Sequence, residues 1–172
     1  MLVVLRIIGT FNAAIWLGSA VFFTFGVARG IFSPEMKKVF PMEYLGYIGQ
    51  VMIGRYFTVS LVCCLIAVAH FFAEMVYAGK PFRRFTFGLL VGMLALGLLG
   101  SYVFAPRIKV LQHEKYRGTP EQRVAAEEPL RRVHGISMGL NVLVLLSLVI
   151  YTWQVTNPSD PMRFVGTAKF RG

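Results

Sequence analysis

Four long runs of apolar residues fill most of the chain, and each ends at a polar cluster holding proline, glycine or several charges. They cover about 5–28, 49–77, 85–104 and 133–155. A helix needs about 20 apolar residues to cross a hydrocarbon core of about 30 Å, and each run supplies them. In lipid every backbone amide and carbonyl must find a partner inside the protein, which a helix does within its own segment. The pattern therefore predicts an all-α integral membrane protein: a four-transmembrane-helix bundle forming one domain over 1–157, followed by a polar tail, 158–172, that is expected to be extended.

The breaks between runs are unequal. Ser33-Pro34 ends the first, and Glu35 to Phe40 reads as a short interfacial helix stopped by Pro41. Gly79-Lys80-Pro81 ends the second in a tight turn, so the second and third helices are expected to form an antiparallel hairpin. The third connection, 105–132, is polar and rich in helix formers. Helix three should continue past the membrane toward Arg117, turn at Gly118-Thr119-Pro120 with Thr119 as N-cap, and return through Glu121 to Arg132 into helix four. The result is a helical hairpin, 105–132, standing out from one face of the bundle. Asn157-Pro158 closes the last run.

Composition agrees. Of the 172 residues 56% are hydrophobic and 15% charged, with mean hydropathy +0.61, which leaves no room for a separate soluble domain. The net charge of +10 would suggest nucleic acid in a soluble protein. Here the cations lie between or beside the apolar runs, where lipid headgroups and membrane orientation account for them, and no nucleic-acid motif accompanies them. Membrane lipids are thus the expected partners, and nucleic acid is not. The face with both chain ends carries seven of the 18 Lys and Arg residues and the other face eleven, so the positive-inside rule is not decisive. The dense cluster Lys80-Pro81-Phe82-Arg83-Arg84, close against helix ends, favours both termini in the cytoplasm; in a bacterium the membrane would be the inner one. Gly18-Ser19-Ala20 faintly resembles a signal cleavage site, but the apolar run continues through Phe22, Phe23 and Phe25, and the segment is read as a retained helix. Cys63 and Cys64 are adjacent and point about 100° apart on a helix, which disfavours a disulfide between them.

Small residues recur four apart: Gly88 and Gly92 with Ala95 nearby, Gly135 and Gly139, Ala14 and Gly18. Such spacing lets helix backbones approach closely in lipid, and the expectation is packing inside the bundle, with a dimerisation face as the alternative. Polar residues interrupt the runs. Asn12, Trp16 and Ser19 share a face of helix one; His134, Ser137, Met138 and Asn141 form a stripe on helix four; Arg55 and Thr58 lie early in helix two, His70 and Glu74 late. Ionisable groups at membrane depth usually face the interior or a wet cavity. The plainest roles are interhelical hydrogen bonds for Asn12 and Asn141, core packing for Trp16, an interfacial position for His134, snorkelling for Arg55 and an i,i+4 pair for His70 and Glu74. The candidate functional stripe is His134, Ser137, Met138 and Asn141, with Arg55 and Arg107 at the same face.

His134 and Met138 are one turn apart, and the cysteines are soft ligands suited to Cu(I). The cysteines, however, fall midway along helix two, and His70 and His134 near opposite faces, which leaves neither a metal site nor a haem between two histidines. No cofactor is expected. No metalloprotease helix, phosphate-cradling glycine loop or nucleophile elbow is present, and nothing assembles acid, base and nucleophile, so no enzyme is expected.

Arg132-Val133-His134-Gly135-Ile136-Ser137, followed by Asn141, resembles the fourth-helix motif R-x-H-G-[hydrophobic]-S-x-x-x-N of the transmembrane protein 205-like family (domain of unknown function 4149). Ala105-Pro106-Arg107 with the polar helix to Lys115-Tyr116-Arg117-Gly118, and the aromatic first helix leading to Val39-Phe40-Pro41, are similar as well. Some relatives carry a histidine early in helix one; Arg6 to Asn12 has none here. The resemblance implies a four-helix membrane protein without an agreed activity, and a link of one eukaryotic relative to platinum-drug resistance suggests solute or metal handling. It carries Arg107, His134, Ser137 and Asn141 as motif positions.

Three functions are therefore weighed. The favoured one is a non-catalytic bundle, an accessory or assembly subunit of a larger membrane complex, with other membrane subunits or further copies of itself as partners. The alternative is a small solute or metal transporter built on the polar stripe. The third is a redox subunit binding haem or quinone.

Overall fold

The computed structural model describes residues 2–77, 79 and 81–157; Lys80 of the basic cluster and the expected extended tail, 158–172, lie outside them. The described residues make four rods. The first is α1 (Leu2–Val21), a π-helical stretch π1 (Phe22–Val27) and α2 (Ala28–Ile31) joined end to end. Ser33 then caps α3 (Pro34–Val39), its hydroxyl accepting from the Met36 amide at 3.3 Å with Pro34 at the first position. The second rod is α4 (Met42–Tyr77) and the third is α5 (Arg84–Leu99), π2 (Gly100–Phe104) and α6 (Ala105–Arg117). Thr119 starts α7 (Pro120–Thr156) with a reciprocal cap: its hydroxyl accepts from the Gln122 amide, and the Gln122 carboxamide oxygen accepts from the Thr119 amide at 2.9 Å.

Two boundaries differ from the sequence reading. Helix two begins at Met42 rather than near 49. Gly46 and Gly49 look like loop residues, but Leu45 is fully buried there and Gly46 lies against Gln112 of α6, so tertiary packing holds the extra turns. Helix four begins at Pro120 rather than 133, running unbroken through Pro129.

The rods are antiparallel neighbours. Leu5 meets His70, Asn12 meets Cys63 and Trp16 meets Ser60, so each step up α1 is a step down α4. Trp16 with Tyr151 and Thr24 with Asn141 set the same relation between the first rod and α7. Thr86 with Gln154 and Lys115 with Glu127 do so for the third rod and α7, and Cys64 with Leu90, Gln50 with Gln112 and Glu43 with Arg117 for α4 and the third rod. The order around the ring is α1, α4, α5, α7.

This register fixes where the charges sit. Arg29, Arg55, Arg107 and His134 fall within about one turn of a common level, one on each rod, and all four are exposed. Arg6 and Arg84 lie at the opposite end. Between these levels residues 7–28, 85–106 and 135–157 carry no Asp, Glu, Lys or Arg, and neither do residues 56–73 of α4. At the helical rise these stretches are roughly 27–35 Å long, the thickness of a bilayer core. Beyond the Arg29–Arg55–Arg107–His134 level, the first turns of α4, all of α6 and the start of α7 form a polar headpiece. The expected helical hairpin, α6 and the start of α7, is thus present, and the first turns of α4 pack beside it as a third helix. Leu45, Ile108, Ala126 and Val133 are buried in it, and ion pairs Glu43–Arg117 (2.5 Å) and Lys115–Glu127 (3.1 Å) join its helices.

The membrane part is packed through small and polar residues. Ala13, Ala20, Cys63, Cys64 and Ala67 surround Trp16, Tyr151, Leu90 and Leu148 in one buried cluster, while phenylalanines such as Phe11, Phe22 and Phe85 face outward. Lipid supplies no hydrophobic drive between helices, so close backbone approach holds the rods together. The recurring glycine pairs are not part of this contact. A methyl group at Gly18, Gly88, Gly92, Gly135 or Gly139 would meet nothing within 4 Å. The expectation that these faces pack inside the bundle is corrected: they lie on its outside.

Candidate functional site

The polar residues of the first two rods form a ladder. His70 Nε2 donates to the Leu5 carbonyl at 2.8 Å, Asn12 Nδ2 to the Cys63 carbonyl at 2.9 Å, and Trp16 Nε1 to Ser60 Oγ at 2.9 Å. Leu5 and Cys63 lie within helices, so each carbonyl spends its second lone pair on this bond. All three side-chain donors are buried. The His70 bond depends on Gly9: a Cβ there would lie 2.5 Å from Cε1 and Nε2 of the imidazole. Only a residue without a side chain lets the ring lie flat on α1.

Around the ring the remaining interfaces also carry polar links within the span. Cys64 Sγ approaches the Leu90 carbonyl at 3.8 Å, Thr86 Oγ1 donates to Gln154 Oε1 at 2.6 Å, and Asn141 Nδ2 donates to Thr24 Oγ1 at 2.8 Å. Thr24 in turn donates to the Ala20 carbonyl at 2.8 Å. The Thr24–Asn141 link lies at the depth of both π segments. There Phe23 stacks on Tyr56 at 4.6 Å, and the Phe57 ring lies against Gly100.

Below the His70 end is a cavity of about 30 Å³ lined by His70, Glu74, Thr86, Tyr151 and Gln154, with Arg83 at its rim. Tyr151 is 2% exposed, and its hydroxyl has no hydrogen-bond partner among the described residues. Phe71, Phe72, Phe82 and Phe87, with ring centroids 5.3–6.0 Å apart, close the bundle beside it. A wider, open groove of about 710 Å³ runs along the headpiece between Tyr44, Tyr47 and Gln50 of α4 and Lys109, His113 and Tyr116 of α6.

The stripe chosen from the sequence is split. Asn141 and Ser137 are half-buried, and Asn141 reaches the first rod; His134 and Met138 are exposed on the outer side of α7. Arg55 and Arg107 are exposed at the level of His134. Asn12, Trp16 and His70 belong to the α1–α4 ladder, and Glu74 shares the cavity with His70. Among the described residues no three of His, Cys, Asp and Glu come together as a metal-holding group. The sequence reading passed over Gly9, Thr24, Ser60, Thr86, Tyr151 and Gln154. Their signal is periodic. On α4, Ser60, Cys63, Cys64, Ala67, His70 and Phe71 repeat every three to four residues and mark its buried face.

No curated protein and no solved structure matches the chain. A family model described as "Domain of unknown function (DUF4149)" matches residues 11–117, from the first rod to the end of α6 and short of the motif on α7. That match takes in more than half of the chain, including the whole α1–α4 ladder above His70, and the chain belongs to the DUF4149 family.

Proposed function

We infer that the protein is a non-catalytic, contact-making subunit: an accessory or assembly component of a larger membrane complex, of the transmembrane protein 205-like type that the α7 motif suggests. The observation that carries this is the pair of unfilled small-residue faces. Gly88 and Gly92 on α5, and Gly135 and Gly139 on α7, are open to neighbours that the bundle does not supply. In lipid such faces bring a second helix to close backbone contact. The most apolar window of α7 is only 6% buried, against 17–22% for the other rods, so α7 has the most free surface. His134 and Met138 flank its glycines on the outside, where a neighbouring helix would meet them. In this reading both termini lie in the cytoplasm and the headpiece stands on the far side.

The test is the size of the native complex in a mild detergent. Wild-type protein should migrate well above monomer size, and Gly135→Leu with Gly139→Leu should reduce it to the monomer while the helix content is kept. A wild-type protein that runs as a solitary monomer when extracted from its native membrane would overturn the reading.

A further inference from the structure

We propose that the cavity between His70, Glu74, Thr86, Tyr151 and Gln154 is a water-binding site inside the membrane-spanning bundle, with room for about two molecules. Three observations converge. The volume of about 30 Å³ exceeds the 10–15 Å³ that one water requires. The lining is polar on three rods: His70 and Glu74 on α4, Thr86 on α5, Tyr151 and Gln154 on α7. Finally, the Tyr151 hydroxyl has no hydrogen-bond partner among the described residues, and the side chain is only 2% exposed.

A hydroxyl left unpaired in an apolar setting costs about 1–3 kcal/mol, and a water that can also reach other polar groups removes that cost. Thr86 and Gln154 are already tied to each other at 2.6 Å, yet the threonine oxygen keeps an acceptor position and the Gln154 amide keeps its N–H donors. His70 uses Nε2 on the Leu5 carbonyl, so its Nδ1 is the nitrogen left to meet water. Bound water would thus connect Tyr151 to His70, an ionisable side chain buried in the span, from the chain-terminus face of the bundle.

Pulsed hydroxyl-radical footprinting of the full chain in lipid nanodiscs tests this directly. Radicals formed from bound water oxidise side chains beside that water even when bulk solvent cannot reach them. Tyr151 and Trp16 are both aromatic, reactive and almost completely buried, at 2% and 1% exposure, and only Tyr151 lines the cavity. Tyr151 should be oxidised several-fold faster than Trp16, with oxygen-18 incorporated from labelled water. Ala67→Val, which adds methyl groups at the cavity wall, should lower the Tyr151 rate toward that of Trp16. If Tyr151 is as protected as Trp16 in the wild-type protein, the cavity is dry and the proposal fails; this comparison needs no variant to fold.

Discussion

Replacing Gly9 by alanine should weaken the bundle where α1 and α4 approach closely. The new methyl carbon would lie 2.5 Å from two atoms of the His70 ring, so the imidazole must retreat by about 1 Å to reach ordinary contact. That lengthens the 2.8 Å bond from His70 Nε2 to the Leu5 carbonyl beyond hydrogen-bonding distance. The lost interhelical bond costs about 0.6–1.7 kcal/mol, and a buried donor left without a partner adds about 1–3 kcal/mol. Alanine's better helix propensity returns about 1 kcal/mol. The net expectation is a loss of about 0.6–3.7 kcal/mol. Gly18→Ala is the matched control, because its added methyl meets nothing within 4 Å and should be neutral or mildly stabilising. Both would be measured by reversible unfolding in mixed micelles, followed by tryptophan emission. The double variant Gly9→Ala with His70→Ala should be no less stable than His70→Ala alone, since the clash disappears with the ring. If Gly9→Ala behaves like Gly18→Ala, or if removing His70 does not relieve it, the close-approach account is wrong.

Other consequences are smaller. Trp16→Phe removes the bond to Ser60 and leaves a void where the larger indole was buried, and Asn141→Ala removes the bond to Thr24; each should lower stability in the same assay by at least about 0.6–1.7 kcal/mol. In the headpiece, the Arg132 guanidinium bonded to Glu128, with Arg131 beside it, holds that carboxyl below the usual carboxylate range. A depressed carboxyl contributes stability that is complete above its unfolded pKa, near 4.3, and is lost as the pH falls through the folded value. Acidification below about pH 4 should therefore loosen the headpiece helices, as read by helicity, and Glu128→Gln or high salt should flatten that dependence. Single cysteines at Val124 and Phe82 should react with impermeant maleimide from opposite sides of sealed vesicles, while native Cys63 and Cys64, both buried in the span, stay unlabelled.

The spans were legible because length and hydropathy alone decide them. Gly79, at φ +59° in the second turn, and Thr119, at the start of α7, were legible because turn and cap chemistry is local. The start of helix two was not. Met42 to Gly49 is held helical by α6, which the sequence places some sixty residues away. The site was half legible for a related reason. Asn12, Trp16 and His70 stand out as polar interruptions in apolar runs, yet what each bonds to is set by the antiparallel register and not by neighbours on its own helix. His70 reaches Leu5 because Gly9 is there, and a glycine in a membrane helix carries no outward sign of which side chain rests on it. The outward glycines show the converse. The Gly88–Gly92 and Gly135–Gly139 spacing has the same signature as internal packing, and only the assembled bundle reveals that nothing fills it.

The π segment at Gly100–Phe104 has a mechanical consequence for how the span and the headpiece share one rod. Gly100 and Ile108 are both buried, although eight residues of regular α-helix would leave them about 80° apart around the axis. The wider turn takes up one residue's worth of rotation, about 100°, and so returns Ile108 to the inward side. An extra amino acid has in effect been absorbed without twisting the headpiece out of alignment. Shortening this stretch by a single position should then leave both halves in phase, whereas the same deletion in the uninterrupted α4 would swing every residue beyond it off its partner.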